Sequence, residues 1–326
     1  KYPPSPPFAP LRRMAQNPPS TSYKRPWSYS LRVGCRKVYR LIVQPRVVRQ
    51  DRIVVVDESE RCTNPLFLIG CHRSGTTLLR QIVDSHSHIA CPPESYFIEF
   101  LARAFGEAPF RQGLSYMGYD EAGMSASMAR YVGGHFEAYR KSKDKPRWAD
   151  KTPHYTACLP FIDRLFAPGV QYVMIYRHPF DVLNSLMSKG WRLSKDTTVD
   201  EDPFRQTARY VVRSQMNMLA FQAEHGDRCF ELRYEQLMDR PEPVLREMFA
   251  FLGEPWEPQV MAFNDQRHDI GVGDAEAMVI KGFRPSLNNW HHWTDAQVAE
   301  AHELMGEVCD RLGYSMQRER AAASRD

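Results

Sequence analysis

The sequence predicts an α/β fold in which a parallel β-sheet is covered by helices on both faces. Two short apolar runs, Pro65–Ile69 and Val170–Tyr176, are bounded by turn residues, as buried strands usually are. Helical patterns follow both runs, and strands that alternate with helices form parallel sheets. Between the first run and its helix, Gly70 and Gly75 have the spacing of a phosphate-binding loop, which indicates a P-loop-type sheet.

The remaining elements are predicted one by one from local patterns. Pro179 suits the first position of a helix, since proline lacks the N–H that would stay unsatisfied there. Thr294 and Gln297 have the spacing of a capping box, which predicts the start of the last helix. Residues 264–292 are rich in glycine and polar residues and are predicted to be a functional loop. In chain order, helices are predicted at 76–85, 94–105, 121–143, 155–166, 179–190, 202–224, 241–252 and 294–312, with further strands at 147–150 and 229–233.

Length and charge divide the chain into two regions. Its 326 residues suffice for one large α/β domain, which we place at 61–326. Residues 1–60 form a basic arm, and its first half is rich in proline and serine, which disfavours both helix and central strand. Residues 1–53 hold twelve Lys and Arg against one acid, whereas the whole chain carries only +4. The arm could contact a membrane surface or an acidic acceptor, or could be a solvated extension.

Seven cysteines are spread along the chain without a CxxC pair or a Cys/His spacing typical of metal sites. We therefore expect no metal, and mostly free thiols in a reducing compartment, which favours the cytoplasm. The apolar runs fall short of the roughly 18 residues that a membrane-spanning helix needs. Because the sequence starts at Lys1 rather than Met, a removed anchor or a larger parent protein stays open.

The phosphate loop carries the strongest chemical signal in the sequence. Backbone amides of such a loop form a nest for oxyanions, and the hydroxyl groups of Ser74, Thr76 and Thr77 add donors. Kinases and NTPases place lysine after the second glycine and an acid near the metal ion. Here that position is Thr76, and no apolar strand ends in an obvious metal-binding aspartate. Arg73 supplies the positive charge instead, which suits a donor with fewer charges than ATP.

The run RSGTTLL that starts at Arg73 resembles the 5′-phosphosulfate loop of sulfotransferases that use 3′-phosphoadenosine-5′-phosphosulfate (PAPS). The arginine form of this loop is typical of tyrosylprotein, carbohydrate and many bacterial members. The resemblance covers roughly Asn64 to Gly313 and implies a single sulfotransferase domain that needs no metal. It also implies which residues bind the 5′-phosphosulfate, namely Arg73, Ser74, Gly75, Thr76 and Thr77.

A second motif, in family order, resembles the site for the 3′-phosphate. Arg177 ends the strand 170–176, and Ser185 follows it in the next helix. A guanidinium and a hydroxyl beside a helix N-terminus suit a phosphate dianion. Lys281 and Gly282 resemble the basic segment that closes over this phosphate, although Ile280 replaces the usual arginine. Tyr234 resembles the residue that contacts adenine, and a core tyrosine is an equally good interpretation of it.

Two residues resemble the family's catalytic groups. Glu94 lies 21 residues after Arg73 and matches the general base of tyrosylprotein sulfotransferases, although a role as a helix cap stays open. Lys151 resembles the lysine that stabilises the bridging oxygen as the sulfuryl group leaves. Cytosolic members have a catalytic histidine where this chain has Pro153, so the neighbouring His154 is the second candidate for the base.

The resemblance predicts an enzyme that moves a sulfuryl group from PAPS to a hydroxyl or amine and releases 3′,5′-ADP. Acceptor specificity lies in variable loops, so carbohydrate, lipid, polyketide and peptide tyrosine acceptors all stay open. No nucleic-acid partner is expected, and no oligomeric state is indicated. Two other functions stay open at this point: a P-loop kinase with a deviant loop, and a relative that binds an anion without catalysis.

Overall fold

The computed structural model describes residues 61–190, 202–271 and 282–317. Within these ranges five strands form one sheet in the order β2-β3-β1-β4-β5, and every neighbouring pair is parallel. The strands are β1 (Leu66–Gly70), β2 (Ile89–Ala90), β3 (Arg147–Asp150), β4 (Gln171–Tyr176) and β5 (Cys229–Arg233). The predicted parallel α/β fold is therefore confirmed. The basic arm predicted at 1–60 lies outside the described residues.

Both faces of the sheet are buried, because successive side chains of a strand point to opposite sides. In β4, Tyr172, Met174 and Tyr176 pack into one hydrophobic core. Val173 and Ile175, which alternate with them, pack into a second core on the other face. This alternation of two apolar faces explains why the strand reads as a continuous apolar run in the sequence.

Ten α-helices lie in the described ranges. They are α1 (Thr76–Asp84), α2 (Phe97–Gly106), α3 (Ala108–Tyr116), α4 (Glu121–Ser142), α5 (Leu159–Phe166), α6 (Pro179–Lys189), α7 (Pro203–Glu224), α8 (Tyr234–Asp239), α9 (Pro241–Phe251) and α10 (Asp295–Leu312). Short 3₁₀ turns lie at Pro153–Ala157, Gly226–Arg228, Pro258–Asp265 and Asn289–His292. None of the described helices is both long and apolar enough to cross a bilayer.

Most of the predicted elements are present, and the differences have local causes. Pro179 is the first residue of α6, and the capping box of Thr294 and Gln297 opens α10 as predicted. The helix predicted at 155–166 is divided, because Cys158 leaves the helical region of backbone space before α5 begins. Helices α3 and α8 and the two-residue strand β2 were not predicted. Helix α3 has no fully buried residue, and only Phe110 and Leu114 pack partly against the core, so its apolar pattern is too short to predict it.

The sheet places its functional loops at one edge. All five strands are parallel, so their carboxyl ends lie together, and α/β proteins bind ligands at that edge beside the point where the strand order reverses. The central strand β1 leads into the phosphate loop. Strands β2 and β3 lie on one side of it, and β4 and β5 lie on the other.

Candidate active site

The phosphate loop joins β1 to α1 through two residues in the left-handed region. Arg73 has φ +69°, and Gly75, the N-cap of α1, has φ +93°. Inside the turn the amide of Ser74 donates to the carbonyl of Cys71 at 3.1 Å. A non-glycine residue in this region costs about 1–2 kcal/mol, and such strain is concentrated at functional sites. The conformation of Arg73 therefore favours a functional role for the loop.

Both glycines of the loop are required by close neighbours. A Cβ on Gly70 would lie 2.5 Å from the Ile175 side chain, on the adjacent strand β4. A Cβ on Gly75 would lie 2.7 Å from the ring of Tyr234. Tyr234 is buried and is the first residue of α8, so the loop rests directly on a residue that follows β5. The sequence interpretations of Tyr234, as core residue and as site residue, are thus compatible.

Buried donors point to an anionic ligand at this loop. The hydroxyl of Ser74 is fully buried and has no hydrogen-bond partner among the described residues. The Nε of Arg177 is also buried without such a partner within the ranges given above. Thr76 is buried at the start of α1, where the amide groups of the first helical turn are unsatisfied. An oxyanion at the helix N-terminus would satisfy these donors.

Arg177 connects the two predicted phosphate sites. Its NH1 donates to the backbone carbonyl of Arg73 at 2.7 Å, and its guanidinium lies 4.6 Å from the ring centroid of Tyr234. The Nε of Arg73 in turn donates to the hydroxyl of Ser185 at 3.0 Å. The structure therefore brings together residues that follow β1, β4 and β5, as the two sequence motifs imply.

A segment of the predicted functional loop also reaches Arg177. Its NH2 donates to the carbonyl of Ser286, and the amides of Asn288 and Asn289 donate to the carboxylate of Asp181 at 2.9 and 2.7 Å. The sequence reasoning missed these contacts, because a backbone carbonyl has no side-chain signature. Gly282, with φ +72°, lies at the start of this described segment. Lys281 lies outside the described residues.

Glu94 and Lys151 form an ion pair on the other side of the phosphate loop. Lys151 follows β3 directly and its side chain is completely buried, whereas the Glu94 side chain is 17% exposed. Glu94 precedes α2, whose N-cap is Tyr96 rather than Glu94, so the interpretation of Glu94 as a helix cap is wrong. The helix starts at Phe97 because Tyr96 adopts a left-handed conformation with φ +58°.

A row of aromatic contacts links this pair to the phosphate loop. The hydroxyl of Tyr96 donates to Glu94, and the ring of Tyr96 lies 5.4 Å from that of His154. The His154 ring lies 4.5 Å from that of His72, the loop residue before Arg73. Burial lowers the pKa of His72 well below its usual value, and nearby positive charge lowers it further. His72 is therefore neutral and can accept the short hydrogen bond from the hydroxyl of Tyr210.

Asp150 supports the segment that carries Glu94. As predicted, β3 ends in Asp150, and the two oxygens of this carboxyl accept from the hydroxyls of Ser95 and Thr152 at 2.8 and 3.3 Å. The amide of Ser95 donates to Thr152 at 3.0 Å. Burial raises the pKa of the Asp150 carboxyl to about 7. Asp150 thus fixes the turn before α2 against the end of β3.

A separate cluster of His86, His88 and Glu254 has ligand atoms within 4.8 Å of one another. Both ring nitrogens of His86 are already engaged, one with the amide of His88 at 3.1 Å and the other with the carbonyl of Pro255 at 2.9 Å. Glu254 also pairs with Arg147 at 3.1 Å. The hydrogen bonds and the ion pair of these side chains explain why they lie together. The six described cysteines are free, as predicted.

Comparison with known proteins identifies the family. A profile of the sulfotransferase family matches residues 65–258. Protein-tyrosine sulfotransferase 1 of Danio rerio is 24% identical over 262 residues, which cover 76% of this chain and 72% of that protein. An uncharacterised protein of Aquifex aeolicus is 24% identical over 237 residues, which cover 70% of this chain but only 30% of that protein.

Among solved structures, the sulfotransferase domain of the Synechococcus PCC 7002 olefin synthase has the same fold. It superposes with a TM-score of 0.54 at 22% identity, over 78% of this chain and 97% of that domain. The sulfotransferase profile spans more than half of the 326-residue chain. These similarities do not favour the two other functions, a P-loop kinase and a non-catalytic anion-binding protein. The chain therefore belongs to the sulfotransferase family and is a transferase of sulfuryl groups.

Proposed function

We propose that this enzyme takes the sulfuryl group from PAPS, transfers it in line to an acceptor hydroxyl, and releases 3′,5′-ADP. One observation carries the proposal. Residues after β1, β4 and β5 contact one another at the phosphate loop, and the Glu94–Lys151 ion pair lies on the other side of this loop. In this proposal residues 61–326 form the catalytic domain, and the enzyme is cytoplasmic.

The donor site supports a nucleotide with separate phosphate groups. Ser74 and the helix amides offer buried donors for the 5′-phosphosulfate, with Arg73 as the charge. Arg177 and Ser185 are both hydrogen-bonded to Arg73. We propose that these two residues bind the 3′-phosphate. Tyr234 offers an aromatic ring for the adenine. Lys281 and Gly282 stay predicted contacts of the 3′-phosphate.

The chemistry requires a base for the acceptor and a positive charge for the leaving group. In the proposed step the acceptor oxygen bonds to sulfur, the bond from sulfur to the bridging phosphate oxygen breaks, and the acceptor proton passes to Glu94. Lys151 would stabilise the charge that develops on the bridging oxygen. The carboxylate of Glu94 contacts Lys151 directly, whereas the ring of His154 packs between two other rings. This arrangement favours Glu94 over His154 as the base.

The acceptor is proposed to be a hydroxyl compound. The printed name of the Danio rerio relative specifies protein tyrosine, a phenolic hydroxyl. Helix α2, which begins three residues after Glu94, and helix α4 carry the exposed aromatic side chains of Phe100 and Tyr131, and we propose that these contact the body of an acceptor. Carbohydrate, lipid, polyketide and peptide-tyrosine acceptors all fit this description.

The donor is tested with 3′,5′-ADP and PAPS. At 100 times its dissociation constant, 3′,5′-ADP should stabilise the fold by about 3 kcal/mol in the absence of metal. Labelled PAPS with a panel of hydroxyl acceptors should then yield a sulfated product. A thermal shift with ATP and Mg²⁺ but none with 3′,5′-ADP would contradict the proposal.

The base is tested by a matched pair of variants, Glu94→Gln and His154→Ala. Loss of a general base typically lowers the rate by about 10²–10⁴-fold, so Glu94→Gln should lose most of its turnover. Its affinity for 3′,5′-ADP should stay the same, since Glu94 faces the acceptor. His154→Ala should be much milder. The reverse ranking, measured with an aliphatic alcohol acceptor, would assign the proton to His154.

A further inference from the structure

The carboxylate of Glu94 has both of its oxygens occupied. Oε1 accepts from the ammonium group of Lys151, and Oε2 accepts from the hydroxyl of Tyr96. An acceptor hydroxyl must donate a hydrogen bond to one of these oxygens before it can lose its proton to Glu94. A carboxylate oxygen can accept two hydrogen bonds, so the acceptor hydroxyl must either share an oxygen with one of these donors or displace that donor.

Lys151 is poorly placed to give way. Its side chain is completely buried and follows β3 directly, where Asp150 and Thr152 on either side are tied to the turn before α2. Its positive charge also attracts the Glu94 carboxylate, an ion-pair attraction that the neutral hydroxyl of Tyr96 lacks. Oε1 thus stays with Lys151, and Oε2 is the oxygen open to exchange.

Tyr96 is well placed to give way. It precedes α2 as its N-cap, so its backbone amide is not part of the helical hydrogen-bond ladder. Its left-handed backbone, with φ +58° and ψ −28°, is unfavourable for a residue with a Cβ, so a change of conformation releases strain. Its side chain is only half-buried, and its ring contacts His154 at one edge of the site.

We propose that the Tyr96 hydroxyl occupies the acceptor-hydroxyl position on Glu94 and that a correct acceptor displaces it. This inference rests on the proposed role of Glu94 as the base. Tyr96 is then a specificity-determining residue, because any hydroxyl that enters must compete with a phenol already bound to Oε2. Water, which has no apolar body to gain contacts elsewhere, competes poorly.

The reaction that Tyr96 suppresses is hydrolysis of the donor. In that reaction a water oxygen bonds to sulfur, the bond from sulfur to the bridging phosphate oxygen breaks, and a water proton passes to Glu94. The products are sulfate and 3′,5′-ADP, so PAPS is consumed without a sulfated product. Removing the Tyr96 hydroxyl should open Oε2 to water and to acceptor alike.

The test is Tyr96→Phe, which keeps the ring and removes the hydroxyl. We expect release of sulfate from labelled PAPS without acceptor to rise about tenfold, as for the loss of one competing hydrogen bond. The KM for an acceptor should fall several-fold. Tyr172→Phe, which removes a tyrosine hydroxyl that donates to the Asp163 carboxylate at the amino end of β4, should match the wild type in both assays. The double variant Glu94→Gln/Tyr96→Phe should show no rise above Glu94→Gln alone.

Three results would overturn the inference. Unchanged or slower hydrolysis by Tyr96→Phe, with normal stabilisation by 3′,5′-ADP, would show that the hydroxyl does not compete with water. A raised acceptor KM would show that Tyr96 instead assists acceptor binding. A rise that persists in the double variant would show that Oε2 of Glu94 is not the competed position. Failure of the proposed function is distinguished by the wild type, which would then release neither sulfate nor a sulfated product from PAPS.

Discussion

Replacing Gly75 by alanine tests whether the phosphate loop depends on its contact with the residue after β5. Two separate costs are expected. Alanine at φ +93° pays about 1–2 kcal/mol for the left-handed backbone. Its Cβ would also lie 2.7 Å from Cδ2 and 3.1 Å from Cε2 of Tyr234, a distance that forces one of the two to shift.

The shift is expensive because Tyr234 cannot easily move. Its ring is buried, and the guanidinium of Arg177 lies 4.6 Å from its centroid on another side. Overpacking of this kind typically costs about 1–3 kcal/mol. Together with the backbone cost we expect Gly75→Ala to lower the free energy of unfolding by about 3 kcal/mol. For a domain of this size that corresponds to a fall in Tm of about 6–12 °C.

The assay is thermal and urea unfolding of a double-mutant cycle. In a Tyr234→Ala background the ring contact is absent, so Gly75→Ala should cost only the backbone contribution, and a coupling of about 1–3 kcal/mol should remain between the two sites. Gly134→Ala is the matched control, since its Cβ meets nothing within 4 Å inside α4. It should stabilise the fold by about 0.5–1 kcal/mol. Equal costs of Gly75→Ala in both backgrounds would refute the steric part of this reasoning.

Three further outcomes are expected. Burial raises the pKa of Asp150 from 3.8 to about 7, so the folded state holds this proton more tightly than the unfolded state, and stability should fall as the pH rises from about 4 to 7. In Asp150→Asn the free energy of unfolding, measured with urea, should lose this pH dependence, which amounts to up to about 4 kcal/mol between pH 4 and 7. If the variant kept the pH dependence of the wild type, another group would be responsible for it. Ser185→Ala should weaken 3′,5′-ADP binding about five- to tenfold in calorimetry, because Arg73 loses a partner and the proposed 3′-phosphate a donor. Thr294→Ala, which removes the capping box of α10, should cost about 1 kcal/mol in chemical unfolding without altering that affinity.

The fold could be predicted where local patterns suffice. Strands β3 and β5 have the predicted bounds, because each is a short run set off by turn residues. Helix α2 could not be placed correctly, since its apolar pattern begins before the helix does. The true start depends on Tyr96, whose left-handed backbone is held by a hydrogen bond to a side chain two residues earlier. No propensity scale anticipates a tyrosine there.

The proximity of Arg73 and Arg177 could be predicted for a related reason. Arg73 and Arg177 lie directly after buried strands, and parallel strands bring such positions to one edge of a sheet. The partners of these residues were harder to predict. Ser286 contributes its backbone carbonyl, and burial together with nearby positive charge lowers the pKa of His72. Both properties arise from the folded environment rather than from residue type.

The order of strands has a consequence for how acceptor preference can change. The residues proposed to bind the nucleotide of the donor follow β1, β4 or β5 in the chain. In contrast, Glu94 follows β2 and Lys151 follows β3. The central strand β1 therefore separates two parts of the sheet: a nucleotide half, with β4 and β5, and a proposed acceptor half, with β2 and β3. Insertions or exchanges between β2 and β3, where α2, α3 and α4 lie, would remodel the acceptor half while the nucleotide half keeps its contacts. A chimaera that exchanges the segment between β2 and β3 should therefore accept new acceptors and keep the same donor.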